Sequence, residues 1–402
     1  MSAPATRSAM ATPSRAYYRA EDCRLEDLLA IIGDATNPAD FPFATAVEQD
    51  VLLYDSAQLR ERMTAGSAHV RGAIEAELIR AWLEGPGIIV LAGAFESGVL
   101  DRVRSAYEAM IAQEWAAGGP KGDHFGVPGA NARIWNALEK LAVADPAAFV
   151  DYYANDMVAL AARAWLGPGY QITAQPNIVK PGGKGQTVHR DYHLGFMDEH
   201  QAAQYPAHVH ALSPLLTLQG AVAHVDMPVE SGPTLYLPHS QKYAPGYLAY
   251  WLPQFQDYFM SHHVQLPLTK GDLVWFNPAL FHAAGSNTSA DIDRMANLLQ
   301  VNSPFGRAME SVDRLRVVQA IYPALCAARD AGMPDAQVAN VVAAAADGYP
   351  FPTNLDRDEP QSASGMAPPS QADLLRAALA EGARAEELDK RLSDNLWSRR
   401  SH

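Results

Sequence analysis

Only two cysteines, Cys23 and Cys326, occur in 402 residues. That number rules out the disulfide framework of a small secreted domain and suits a reducing compartment. Long apolar runs are missing as well. Runs such as Ile88 to Ala92 fall far short of the ~20 residues that cross a bilayer, and Met1 to Arg15 mixes Ala, Ser, Thr and Pro without the apolar stretch of a secretory signal. Positive charge is scarce: 31 basic residues stand against 45 acidic ones, a net of −14, with no block of Lys or Arg. A surface of that sign repels phosphate, which argues against nucleic acid and anionic membranes as partners. No internal repeat is visible. These absences describe a soluble protein, cytoplasmic by default, and a hydrophobic content of 48% is ample for a large core.

Residues 1–15 read as a disordered leader and 16–169 as a helix-rich region. Glu21 to Gly33, Asp55 to Met63 and Ala68 to Leu83 have helical spacing, and the stripe of Ile74, Leu78, Ala81 and Trp82 reads as core packing rather than a lid. Ile88 to Leu91 is a short buried strand, followed by a helix from Gly98 to Ala117 and a loop, Gly118 to Asn131, that carries His124. Arg133 and Trp135 come next. They are candidate substrate contacts, with a surface ion pair and a packed indole as the alternative.

From 170 to 305 the pattern changes to short β-runs separated by Gly, Pro and Asn: Tyr170 to Val179, Thr187 to His193, Leu215 to Val225, Thr234 to Leu237, Val264 to Leu268, Asp272 to Asn277 and Met295 to Val301. Many short strands at such spacing argue for a sandwich or barrel. The aromatic-rich insertion Tyr243 to Met260 either walls an apolar pocket or packs an irregular loop. Helical periodicity returns over 306–354, with Val312 to Ala331 and Ala336 to Ala346, and 355–402 is a linker followed by one charged amphipathic helix, Gln371 to Leu396. The expected fold is a mainly β core with a helical N-terminal region and helical C-terminal additions.

The chemistry concentrates in Thr187 to His193. On a strand alternate side chains share a face, so His189 and Asp191 point the same way. An imidazole and a carboxylate at that spacing can chelate one divalent metal, and one distant His completes the two-His, one-carboxylate facial set of non-haem Fe(II) oxygenases. His282, in Pro278-Ala-Leu-Phe-His-Ala283, is the third candidate. His193 falls on the same face ~6–7 Å further along and is read as a substrate contact rather than a ligand. His208-x-His210 also has metal spacing and keeps a cupin-like metalloenzyme open, while His262-His263 is a conspicuous pair without supporting context.

Four blocks in order, Gln186-x-x-His-x-Asp191, Glu230-Ser-Gly-Pro-Thr-Leu-Tyr-Leu-Pro-His-Ser240, Gly271-Asp-Leu-Val-Trp-Phe-Asn-Pro-x-x-x-His282 and Arg294, resemble the phytanoyl-CoA dioxygenase family of Fe(II)/2-oxoglutarate oxygenases, mainly over Gln171 to Asn302. The resemblance implies a double-stranded β-helix, a jelly-roll of two facing sheets, with Fe(II) held by His189, Asp191 and His282 and with 2-oxoglutarate and O2 as cosubstrates. Arg294 then takes the distal carboxylate of 2-oxoglutarate, one residue later than the family usually places it. Thr234 either adds a hydroxyl there or is an ordinary strand residue, and Gln186 joins the candidate substrate contacts. Halogenating relatives replace the carboxylate ligand by Ala or Gly, and this chain keeps Asp191. The expected reaction is therefore hydroxylation of a small organic substrate (an acyl-CoA, an acid, an amino-acid derivative or a natural-product intermediate) with release of succinate and CO2. A metalloenzyme that does not use 2-oxoglutarate and a non-catalytic binding barrel are the alternatives, and nothing in the sequence marks an oligomeric state.

Overall fold

β-Branched and aromatic runs form the strands, and several are buried on both faces, which accounts for their nearly continuous apolar character. The computed structural model describes residues 15–33, 35–66, 68–116, 131–358 and 367–401. The expected leader (apart from its last residue), the loop bearing His124 (apart from Asn131) and residues 359–366 of the expected linker lie outside the described residues. The strands are β1 (Ala46–Glu48), β2 (Val51–Asp55), β3 (Ile88–Ala92), β4 (Asn131–Arg133), β5 (Gln171–Val179), β6 (Thr217–Ala223), β7 (Leu235–Leu237), β8 (Leu273–Phe276), β9 (Phe281–Ala283) and β10 (Arg294–Asn302). One sheet has the order β1-β2-β3-β8-β6-β10-β5-β4, and β7 pairs with β9 in a second. Single ladder pairs widen the second sheet on both sides, His189 with His282 and Tyr236 with Val264. Followed along the chain from β5, the segments visit the large sheet, the small one at His189, the large at β6, the small at β7 and Val264, the large at β8, the small at β9 and the large at β10. This alternation is the double-stranded β-helix that the sequence led one to expect.

The described residues within 1–94, 121–132 and 177–298 form one compact unit, and those within 95–120, 133–176 and 299–402 form a second. In the first, Val51, Ile88, Val90, Tyr236, Val274, Phe276 and Leu280 make one buried apolar cluster; each such side chain contributes ~1.5–3 kcal/mol by leaving water. The large sheet reaches back before residue 170. The β1–β2 hairpin was not anticipated: Glu48 pairs with Val51 across Gln49 and Asp50, both at positive φ (49° and 64°), the geometry of a two-residue turn usually marked by Asn-Gly. β2 then runs parallel to β3 through the helices Ser56–Ala65 and Ala68–Leu83, as a parallel pair requires. Ile74, Leu78, Ala81 and Trp82 are all buried, in agreement with the core reading of that stripe.

In the second unit helices predominate, and short polar side chains start them. Asp145 accepts from Ala148 N–H, Asn155 from Met157 and Val158 N–H, and Asp313 from Arg316 N–H, each satisfying donors that a helix leaves open. The single C-terminal helix expected from Gln371 to Leu396 is two, Gln371–Glu381 and Ala385–Ser398. Gly382, at φ 66°, ends the first in the left-handed conformation that glycine adopts without steric cost. No helix among the described residues is long and apolar enough to cross a membrane.

Candidate metal centre

His189 and His282 face each other as an antiparallel pair. His189 N–H donates to His282 O at 2.9 Å and His282 N–H to His189 O at 3.2 Å, so both side chains stand on one face with ring centroids 4.4 Å apart. Asp191 N–H is tied to Pro278 O at 3.0 Å. Its carboxylate returns to the imidazoles, with Oδ2 3.3 Å from His282 Nε2 and Oδ1 3.8 Å from His189 Nε2. One ligand atom from each of the three lies within 4.8 Å of the others.

The tautomers follow from the backbone. His189 Nδ1 lies 2.8 Å from Thr187 O and His282 Nδ1 2.8 Å from Leu280 O; a carbonyl only accepts, so both Nδ1 atoms carry the proton. The Nε2 lone pairs therefore point at the carboxylate. Burial, reinforced by His282, lowers the His189 imidazole below its ordinary value despite Asp191 and the Thr187 carbonyl. Burial would raise Asp191, but the two histidines and a hydrogen bond from Gln219 outweigh it and hold the carboxyl well below the usual carboxylate range. Two imidazole Nε2 atoms and one carboxylate thus converge, and the donor set fits a borderline divalent ion such as Fe(II).

Tyr236 stands opposite His282 in the β7–β9 ladder and lines a cavity between the two sheets. Val90, Val274, Leu266 and Leu298 make its apolar wall, and Asn177, Thr234 and Arg294 its polar lining. Arg294 is 7% exposed and donates to Gly285 O at 3.3 Å. Burial pushes the Tyr236 phenol up, opposed by a hydrogen bond with Thr234 and by the charge of Arg294. Thr234 and Arg294, picked out in the sequence, therefore meet at one cavity, joined by Asn177 and Tyr236, which were not.

Gln186 donates its backbone N–H to Ala284 O at 2.9 Å, continuing the pairing beyond β9. His193 behaves otherwise. The backbone turns left-handed at Tyr192 (φ 60°) and His193 (φ 39°) and enters the turn His193–Phe196, so the alternation meant to place His193 with His189 and Asp191 stops at Asp191. Arg133 and Trp135 belong to the second unit, where the guanidinium lies 5.2 Å from the indole centroid. The rival pair His208 and His210 sits on the helix Ala207–Leu212, where positions two apart diverge by ~200° and cannot chelate one ion; His210 Nε2 is 3.1 Å from Ala202 O instead. His262 stacks on Tyr258 at 4.0 Å.

Two residues behind the centre escaped the sequence reading. Gln219 on β6 donates from Nε2 to Asp191 Oδ2 at 2.6 Å; a lone amide in a fully buried strand was the available signal. Arg190, 1% exposed, donates from Nη2 to Ser240 O at 2.6 Å and Tyr243 O at 2.9 Å and lies 5.2 and 5.0 Å from the ring centroids of Tyr247 and Phe281. Tyr243, Tyr250, Phe255 and Phe259 of the aromatic insertion are buried in one cluster with Phe281, so the packing alternative describes them.

Among solved structures, AviO1 from Streptomyces viridochromogenes Tue57 is similar at 17% identity over 58% of this chain and 96% of that one, with a TM-score of 0.42. The non-heme alpha ketoglutarate dependent epimerase SnoN from nogalamycin biosynthesis is similar at 18% over 59% and 84%, TM-score 0.37. HygX from Streptomyces hygroscopicus, solved with nickel, 2-oxoglutarate and hygromycin B bound, is similar at 16% over 57% and 87%, TM-score 0.40. No curated protein matches the chain. Residues 83–296, more than half of the chain and including His189, Asp191, His282 and Arg294, match the family model described as Phytanoyl-CoA dioxygenase (PhyH). The chain belongs to the phytanoyl-CoA dioxygenase family.

Proposed function

We propose that this protein is an Fe(II)- and 2-oxoglutarate-dependent dioxygenase that hydroxylates a small organic substrate and releases succinate and CO2. The observation that carries the reading is the convergence of His189 Nε2, His282 Nε2 and the Asp191 carboxylate beside a cavity lined by Arg294. His189, Asp191 and His282 hold the metal on one face, which leaves three positions for a bidentate 2-oxo acid and O2. Arg294 pairs with the distal carboxylate of 2-oxoglutarate, for which a planar guanidinium offers two parallel donors, and Thr234 adds a hydroxyl. Bound iron with 2-oxoglutarate and O2 supplies the oxidising chemistry; the chain's own part is to position the reactants and exclude water. Of the candidate substrate contacts, Gln186 has the best support, because its backbone pairs with Ala284, two residues past His282. Arg133, Trp135 and His193 are kept as further candidates. Two free cysteines support work in the reducing cytoplasm.

The test is succinate formation from 2-oxoglutarate with Fe(II), screened against a small-molecule library. His189→Ala and His282→Ala are expected to abolish metal binding, and His208→Ala to leave it intact. With a carboxylate from Asp191 on the metal no position remains for a halide, so turnover under labelled O2 with added chloride should give a product carrying one oxygen atom from O2. A chlorinated product would overturn the assignment.

A further inference from the structure

A buried amide stands behind the carboxylate of the metal centre. Gln219 is 4% exposed and its Nε2 donates to Asp191 Oδ2 at 2.6 Å. Which end of the amide faces Asp191 is settled by chemistry, since an ionised carboxylate only accepts. Oδ2 is also the oxygen that lies 3.3 Å from His282 Nε2. The other end of the amide, Oε1, is buried and has no hydrogen-bond partner among the described residues, so the side chain's polar contact is the one to Asp191. Its strand serves the centre a second way: Gln219 is in register with Phe276 of β8, whose ring packs 4.8 Å from that of His282.

A half-satisfied amide in a core strand is less favourable to folding than an apolar side chain of the same shape. Resting on the metal-centre reading above, we propose that Gln219 is a positioning residue for the metal. It holds the Asp191 carboxylate against rotation, so that one oxygen is presented together with the two Nε2 atoms and the remaining coordination positions stay open. Groups that orient metal ligands through hydrogen bonds typically change metal affinity 10–100-fold when removed.

The two demands on residue 219 can be separated, because methionine matches glutamine in length and volume but lacks the N–H donor. Wild type, Gln219→Met, Gln219→Asn and His189→Ala would be titrated with Co(II), a redox-stable probe, by calorimetry and visible absorption, with thermal melts alongside. Wild type is expected to bind one Co(II) and His189→Ala none. Gln219→Met should melt at or above the wild-type temperature yet bind Co(II) roughly 10–100-fold more weakly, with a shifted visible spectrum; Gln219→Asn, whose shorter side chain draws the nitrogen back, should do the same. Equal affinity and an unchanged spectrum in both variants would overturn the inference while leaving the metal centre standing. Loss of folding in both would also overturn it, since Gln219 would then be holding the core rather than the ligand. Failure of wild type to bind Co(II), or undiminished binding by His189→Ala, would instead overturn the metal-centre reading on which the inference depends.

Discussion

Replacing Gly246 by Ala would test how the segment carrying His189 and Asp191 is pinned. A Cβ at Gly246 falls 1.9 Å from Arg190 Cζ and 2.2 Å from each terminal nitrogen, far inside the ~3.5 Å of a normal non-bonded contact. The end of an arginine side chain usually swings aside at little cost. Here it is enclosed, bonded to two carbonyls and held between Tyr247 and Phe281. Hydrogen bonds to a charged group contribute ~1.5–3 kcal/mol each and cation–π contacts ~0.5–2; allowing for partial re-pairing after displacement, Gly246→Ala should cost about 3–5 kcal/mol.

The assay is urea unfolding of wild type, Gly246→Ala, Arg190→Met and the double variant. Arg190→Met loses the same hydrogen bonds but clears the space, so adding Gly246→Ala to it should cost less than ~1 kcal/mol, a coupling of about 2–4 kcal/mol. Because Arg190 lies between His189 and Asp191 in the chain, metal affinity should fall with stability in Gly246→Ala. Additive effects, or a cost below ~1 kcal/mol for Gly246→Ala alone, would refute the pin.

Arg294→Ala should raise the 2-oxoglutarate requirement by roughly two to three orders of magnitude, the equivalent of breaking a buried ion pair on one side, while Co(II) still binds; unchanged 2-oxoglutarate affinity would remove Arg294 from that role. Burial raises the Glu77 carboxyl above its ordinary 4.5, despite donors from Phe43 N–H and Tyr54 Oη and the charge of Arg80. Its contribution to stability is therefore fully present below the unfolded value and lost as pH rises through the folded one. The stability of wild type relative to Glu77→Gln, which cannot titrate, should accordingly fall as pH rises above the ordinary carboxylate range, and urea unfolding showing a flat or rising difference would contradict this. Gly382→Ala meets no neighbouring atom but must hold φ 66°, so calorimetry should show a loss of about 1 kcal/mol.

The grouping of His189, Asp191 and His282 was legible because it depends on two rules that survive folding. Period-two alternation places His189 with Asp191, and ordered blocks tie His282 to them across a long stretch of chain. His193 was misplaced by the same alternation, since two consecutive left-handed residues that are not glycine carry no mark in the sequence. His208-x-His210, kept only as a rival pair for its metal spacing, falls on a helix that separates the two rings. Gly382 could have been read as a helix end, but the charged periodicity on both sides concealed it.

Arg190 was illegible for a deeper reason. Alternation sends it to the face opposite His189 and Asp191, which in the small sheet points away from the cavity, where a charged residue would ordinarily meet water. It is buried because Gly246–Ala249 and Pro253–His262, drawn from the aromatic insertion, cover that face, and because Gly246 lacks the Cβ that would collide with it. Ser240 and Tyr243 supply carbonyls and Tyr247 a ring. The insertion therefore backs the ligand segment rather than walling the cavity, and the pairing of Arg190 with Gly246 is the feature on which that backing depends.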